Sequence, residues 1–373
     1  MSKPRVLHLI TRLLQGGAEA KTLAELEALH GRYAFTLCFG ASFSPAQRAH
    51  VERLGVPTRR LASLRHYDPF SLSVACVQLY RFMKRTHFDV VHTHSTEAGI
   101  VGRLAAHWAN VPVVVHTLHG VPFTEQRNPV LRQFLLTLER TAAPWTQRFV
   151  ANAQIIKETY LNAGVGHEGQ YEVVPSGVDL ERFACATPVE LACPEKMFKV
   201  LTAARLTAGK GLFELLQAAR EMPDAVFFIA GEGPLRHKLE TQIERFGLGE
   251  RVRLLGHRQD LAGLMRAVDL FVLPSYREGT PRVISEALAA GLPIVATNVD
   301  GIPEQVEHGV NGLLVPPRQV RPLVSAMLAL ADDEAQRVHM GKNSQERAQK
   351  FSQRTMVAAL DELYQDLLYS APS

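Results

Sequence analysis

Short apolar runs alternate with longer stretches of helical periodicity along most of this 373-residue chain. Segments 6–10, 35–39, 89–93, 113–117 and 148–151 are brief and apolar, and they predict buried strands. Stretches 17–30, 70–86, 97–109, 129–143 and 154–162 carry apolar residues at helical spacing, and 172–175 predicts one more strand. Strand and helix in alternation imply a parallel sheet with helices on both faces.

The pattern breaks over 179–197, where Pro188 and Pro194 interrupt a less regular segment that reads as a linker. It then restarts, with strands predicted near 200–204, 226–230, 252–255, 270–273 and 294–297, each followed by a helix. The reading is two α/β domains, 1–178 and 198–352, joined by 179–197. Region 319–369 reads as helix only. Leu360, Leu363, Leu367 and Leu368 give its last part, 353–373, an apolar face that predicts packing toward the first domain.

Composition adds little to this picture and charge adds more. The chain is 46% hydrophobic and 21% charged, enough for two cores, and no apolar run is long enough to span a bilayer. Residues 3–10 lack the form of a signal peptide, so a cytoplasmic location is expected. Cys38, Cys76, Cys185 and Cys193 form no C-x-x-C pair and read as core or linker residues. Residues 1–175 hold 19 Lys and Arg against 12 Asp and Glu, leaving 22 against 25 for the rest. The basic first half fits either an anionic partner, such as a phosphorylated acceptor or membrane surface, or an ordinary solvated face. A modest basic excess without an aromatic-basic motif argues against nucleic acid.

In open parallel sheets, ligands bind beyond the carboxyl ends of the strands, and the cleft between two such sheets is the natural site. "REGTPRVISEA", 277–287, sits at such a junction. Thr280 suits an N-cap and Pro281 the first helical position, which leaves backbone N–H groups available to an anion. Glu278 precedes that helix, and Glu286 lies about 8–9 Å along it. A diphosphate flanked by two hydroxyl-rich groups, the layout of a nucleotide-sugar, matches this spacing. "ARLTAGKG" places Arg205 and Lys210 after a strand, where two cations could neutralise a diphosphate; it is not a Walker loop. "GEGPL" puts Gly231 and Gly233 at the next strand end without the third glycine of a dinucleotide fingerprint. "LLQGGAEA" supplies Gly16 and Gly17, where backbone can approach a ligand closely.

His92, His94, His116 and His119 cluster at predicted strand ends. H-x-H can chelate zinc. The better reading makes His92 a buried hydrogen-bonded side chain and His119 a contact for sugar or acceptor.

Together "GGAE" (16–19), "DVVHTHS" (89–95), "HG" (119–120), "RLTAGKG" (205–211), "GEGP" (231–234), the paired glutamates and "NGLLVPP" (311–317) resemble the retaining glycosyltransferases of family 4 over nearly the whole chain. The resemblance implies the GT-B fold, two tandem Rossmann-like domains facing across a cleft, with the terminal helix returning to the first. It implies transfer of a sugar from a UDP- or GDP-sugar to a hydroxyl of a glycan or lipid-linked acceptor, in cell-surface polysaccharide or glycolipid synthesis. Arg205 and Lys210 would hold the diphosphate, Glu286 the ribose, and Glu278 the sugar with backbone of Gly279, Thr280 and Pro281. His119 would lie beside the donor sugar, and Gly16 and Gly17 would approach diphosphate and acceptor. His257 and Arg258 of "GHRQDL" stand where the family contacts the base. No metal or cofactor is implied, and no Asp-x-Asp motif is present. Thr280 departs from the apolar residue that many members carry there.

The acceptor is expected on the first domain. Arg59, Arg60, Arg65, Arg81, Lys84 and Arg85 surround a stretch whose Leu72, Leu79, Phe82 and Met83 fit either peripheral contact with an anionic membrane or packing on the sheet. A nucleotide-sugar epimerase of the same fold and a metal-dependent hydrolase built on the histidines are the competing functions.

Overall fold

Parallel pairing organises both halves of the computed structural model, which describes residues 3–14, 16–65, 69–124, 128–194 and 196–369. Gln15 of the glycine turn, Glu195 of the predicted linker and residues 370–373 lie outside these. The chain divides into two units, 1–176 with 354–373, and 177–353.

The first unit carries β1 (Arg5–Ile10), β2 (Ala34–Phe39), β3 (Thr58–Arg60), β4 (Val90–His94), β5 (Val113–Leu118), β6 (Arg148–Ala151) and β7 (Tyr171–Val173), in the order β3-β2-β1-β4-β5-β6-β7. The second carries β8 (Phe198–Ala203), β9 (Ala225–Ala230), β10 (Val252–Gly256), β11 (Leu270–Leu273), β12 (Ile294–Thr297) and β13 (Gly312–Val315), in the order β10-β9-β8-β11-β12-β13. The order reverses between β1 and β4 and between β8 and β11, the switch points where open sheets bind ligands. Sequence reading passed over β3, whose Thr-Arg-Arg has no apolar run, and β13, which begins with a glycine.

Strand alternation sets the first core. On β1, Val6 and Ile10 face one side with His8 between them, while Leu7 and Leu9 face the other. The Val6 side is covered by helix Gly17–Leu29 and by Met356, Leu360, Leu363 and Tyr364 of helix Gln353–Tyr369. The other side takes helix Pro69–Thr86 through Leu79 and Met83. Leu72, Leu79, Phe82 and Met83 are therefore sheet-packing residues. The exposed apolar residues of that helix are Phe70, Val74 and Val77.

The chain passes from the first unit to the second at 176–177 and back at 353–354. These crossings are adjacent: the Val178 N–H donates to the Phe351 carbonyl at 2.9 Å, and the Gln353 N–H to the Val178 carbonyl at 2.8 Å. The stretch predicted as a linker belongs to the second unit. Asp179 caps helix Leu180–Ala184, Phe183 is buried in that unit's core, and the Val189 N–H donates to Gly263 at 3.2 Å.

Helix Thr96–Ala109 is tied to helix Pro129–Ala142 by a fully buried ion pair, Arg103 Nη2 to Glu139 Oε2 at 2.6 Å. Arg103 also donates through Nε to the Gly99 carbonyl at 2.9 Å. Removing one member strands the other charge in a dry site. Glu139→Ala should lower unfolding free energy by about 3–5 kcal/mol in urea titration, and Arg103→Met with Glu139→Leu should recover most of that loss.

Candidate functional site

In the second unit, the loops leaving β8 and β11 meet at the switch point. The Tyr276 N–H donates to the Gly209 carbonyl at 2.7 Å, and Gly211, at φ +65°, lies so close to the Pro274 carbonyl that a Cβ would strike it. This brings Lys210 Nζ to 2.5 Å from Glu278 Oε1, an oxygen that also accepts from Ser275 Oγ at 2.7 Å. Asp300, in the left-handed region at φ +43°, accepts the Glu278 N–H at 3.0 Å. Arg205 is exposed, and its guanidinium has no partner among the described residues.

The turn holding Gly231 and Gly233 braces that loop. Leu206 donates to the Glu232 carbonyl at 2.9 Å and accepts at its own carbonyl from the Leu235 N–H at 3.0 Å. Gly231 has φ +140°, and a Cβ there would collide with the Ala204 carbonyl. The glycines thus permit close packing of two loops, which is the local reason for their presence.

The helix after β11 starts later than the sequence predicts. It spans Arg282–Ala289 with Pro281, not Thr280, in the capping position. Pro281 has ψ 113°, outside the helical range, and its carbonyl accepts from the Ile284 N–H at 3.0 Å and from Gln305 Nε2 at 3.2 Å. Gly279 and Thr280 precede it as a bend. Glu286 accepts from Arg282 Nε at 2.9 Å, and burial raises its pKa against the opposing pull of Arg282. His257 is exposed after β10. Arg258 forks onto Asp260 at 2.7 and 2.5 Å.

In the first unit the loops after β1, β4 and β5 border a cavity of about 310 Å³ lined by Arg12, Ser95, Glu97, Thr117, His119 and Gly120 among others. Gly16 caps helix Gly17–Leu29, and Ser95, at φ +69°, precedes helix Thr96–Ala109. His92 is fully buried, with Nδ1 2.5 Å from the Tyr364 hydroxyl and Nε2 2.6 Å from Thr117 Oγ1. His116 faces the opposite side of the sheet, 2.8 Å from Thr93 Oγ1. His119 lies 3.3 Å from His94 and 3.2 Å from the Asn152 amide, and burial holds its pKa down at about 3.

Sequence reasoning missed the partners of these histidines. His8, Glu25, His92 and His94 bring potential ligand atoms within 4.8 Å of one another, all buried. The Tyr364 hydroxyl bonds Glu25 and His92 and lies 3.4 Å from His8, so a hydrogen-bonding group stands among them. Lys21, also buried, donates to Asn152 Oδ1 at 2.8 Å and to the Val174 carbonyl at 2.7 Å. The available signal was a pair of charges, Lys21 and Glu25, one helical turn apart and in phase with buried positions.

Comparison with known proteins follows this division. A model described as Glycosyltransferase Family 4 matches residues 15–182, and one described as Glycosyl transferases group 1 matches 186–347. The chain is 32% identical to the Escherichia coli UDP-Gal:alpha-D-GlcNAc-diphosphoundecaprenol alpha-1,3-galactosyltransferase, covering 78% of this chain and 79% of the relative. It is 24% identical to a Campylobacter jejuni N,N'-diacetylbacillosaminyl-diphospho-undecaprenol alpha-1,3-N-acetylgalactosaminyltransferase over 80% of this chain and 82% of that one. Anabaena HepE, solved in complex with UDP, shares the fold with a TM-score of 0.84 at 24% identity, covering 97% of this chain and 100% of that one. Two Rossmann-like units of the GT-B fold, matched along both halves of the sequence, make this chain a member of glycosyltransferase family 4.

Proposed function

We propose that this glycosyltransferase moves a sugar, with retention and without a metal, from a nucleoside-diphosphate sugar to a hydroxyl of a lipid-linked glycan acceptor. The observation that carries the reading is the Lys210–Glu278 pair at the β8/β11 switch point, with Arg205 exposed on the same loop as Lys210. A donor suits that pair because it offers each member a replacement partner. Its diphosphate takes Lys210, joined by Arg205, and its sugar hydroxyls take Glu278. Glu286, one carboxylate with two acceptor oxygens, suits the ribose diol, and His257 and Arg258 stand on the loop proposed for the base.

Departure of the diphosphate builds negative charge on its oxygens, and two fixed cations lower the barrier by meeting that charge. They supply the neutralisation for which a metal would otherwise be needed. Retention follows from front-face attack in which the leaving phosphate accepts the acceptor's proton. The Ser275 hydroxyl, which donates to Glu278 Oε1 at 2.7 Å, keeps the carboxylate oriented when Lys210 turns to the diphosphate.

The named relatives act on diphosphoundecaprenol-linked sugars, which supports a lipid-linked acceptor for this chain. Helix Pro69–Thr86 supports membrane contact. Phe70, Val74, Val77 and Arg81 recur at helical spacing on its exposed side, followed by Lys84 and Arg85. No helix among the described residues is long and apolar enough to cross a membrane.

A panel of UDP- and GDP-sugars should raise the melting temperature for the true donor by mass action. With that donor, net transfer rather than an isomerised sugar separates this reading from an epimerase. Arg205→Ala and Lys210→Ala should each cut transfer about a hundredfold, and unchanged turnover in both would overturn the assignment. Glu286→Ala should weaken calorimetric affinity for the nucleoside diphosphate about tenfold while leaving the melting temperature near wild type; unaltered affinity removes Glu286 from the ribose. Anionic liposomes should sediment the protein at low salt, and Phe70→Ser with Val74→Ser should abolish this; no sedimentation of the wild type refutes membrane contact.

A further inference from the structure

The buried polar atoms of the first unit form a chain whose proton positions are fixed by its ends. Protonated Lys21 Nζ can only donate, so the Asn152 atom 2.8 Å away must be its carbonyl oxygen. The Asn152 amide nitrogen therefore faces His119 Nδ1 at 3.2 Å and donates to it. With Nδ1 accepting, a neutral His119 carries its proton on Nε2 and donates to His94 Nδ1 at 3.3 Å. His94 then donates from Nε2 to His8 Nδ1 at 2.9 Å. His8 is left with its Nε2 proton directed toward Glu25 Oε1, 3.4 Å away, and the Tyr364 oxygen, also at 3.4 Å.

Every bond in this series points the same way, from an amine that only donates to a carboxylate that only accepts. Reversal is blocked at the Lys21 end. A proton on His119 Nδ1 would confront the Asn152 NH2, and the amide cannot rotate without turning that NH2 toward Lys21. Lys21 fixes the direction while it is protonated, when it supplies both its bonds, to Asn152 and to Val174. A neutral amine has a lone pair that accepts from a rotated amide, so the spectrum is read below pH 7, where Lys21 is charged. Burial holds His119 and His94 neutral, which the one-way arrangement requires. His92 is a side branch. Tyr364 donates to Glu25, so His92 Nδ1 donates to the Tyr364 oxygen and its Nε2 accepts from Thr117.

His119 borders the cavity of the first unit, yet both of its ring nitrogens are taken up inside the protein. It has no free nitrogen with which to exchange a proton with a substrate. We propose that Lys21 and Asn152 are positioning residues for sugar transfer: through this one-way chain they hold His119 as a fixed Nε2–H imidazole at the cavity wall, a placed dipole and not an acid or base. The proposal rests on the reading of His119 as part of the transfer machinery.

The test has one arm that needs no substrate. Side-chain nitrogen NMR of the full chain should show His119 with Nε2 protonated and Nδ1 bare. An Nδ1–H or exchanging ring overturns the chain. Asn152→Asp keeps the shape and the bond to Lys21 but turns a donor into an acceptor, so it should switch His119 to Nδ1–H. In the same variant kcat should fall about tenfold or more with donor KM within about twofold of wild type. A switched ring with unchanged kcat overturns the positioning role. If Asn152→Asp fails to fold, Lys21→Met, which frees the amide to rotate, should give a mixed His119 spectrum, and an unchanged spectrum counts against the chain. Absence of transfer by the wild type strikes the proposed reaction and the role in it together, while the tautomer is still decided by the spectrum.

Discussion

Parallel pairing imposes one constraint from which the functional geometry follows. When every strand in a sheet runs the same way, every carboxyl end emerges along one edge, and the loops that follow are forced into company. In the second unit this draws residues from "ARLTAGKG" and "SYREGTP" together, although Lys210 and Glu278 are 68 positions apart. In the first it lines up the ends of β1, β4 and β5 so that Arg12, Glu97 and His119 border one cavity. None of these residues is near another in the chain.

Charge in the two units is handled differently. Lys210 and Glu278 are partly buried partners on loops that leave β8 and β11, and their bond is of a kind that a ligand can exchange. Lys21 and Glu25 are wholly buried and spaced one helical turn apart, with neutral groups relaying between them. Burial alone would drive each toward neutrality. For Glu25 the pull of His8 and His92 prevails and holds its pKa well below the ordinary range, while the pKa of Lys21 settles at about 7. The first arrangement suits a place that turns over; the second suits a scaffold.

Much of this was legible beforehand because it depends on local pattern. Strands 270–273 and 294–297 have the bounds their sequences predict, since a short run of apolar and β-branched residues before a turn has few other options. That Lys210 and Glu278 both stand at strand ends followed from residue type and position; that they bond each other did not. What escaped was set by distant contacts. The helix after β11 starts at Arg282 because Pro281 has a non-helical ψ of 113°, and the Pro281 carbonyl is held by Gln305 from beyond β12. The apparent linker joins the second unit through Phe183 and Val189, two apolar residues in a proline-bearing stretch. Tyr364 lies among the leucines of the terminal helix, and nothing near it in the sequence marks its hydroxyl for Glu25 and His92.

The return of residues 354–369 to the first unit has a consequence for biosynthesis. A ribosome delivers 177–353 before the segment that contributes Met356, Leu360, Leu363 and Tyr364 to the first core. The nascent first unit thus waits with Glu25 lacking its tyrosine and with the face that Met356, Leu360 and Leu363 cover left open. Maturation is in this sense out of sequence order, and the wait for that segment is when the first unit is most exposed to aggregation and to proteases.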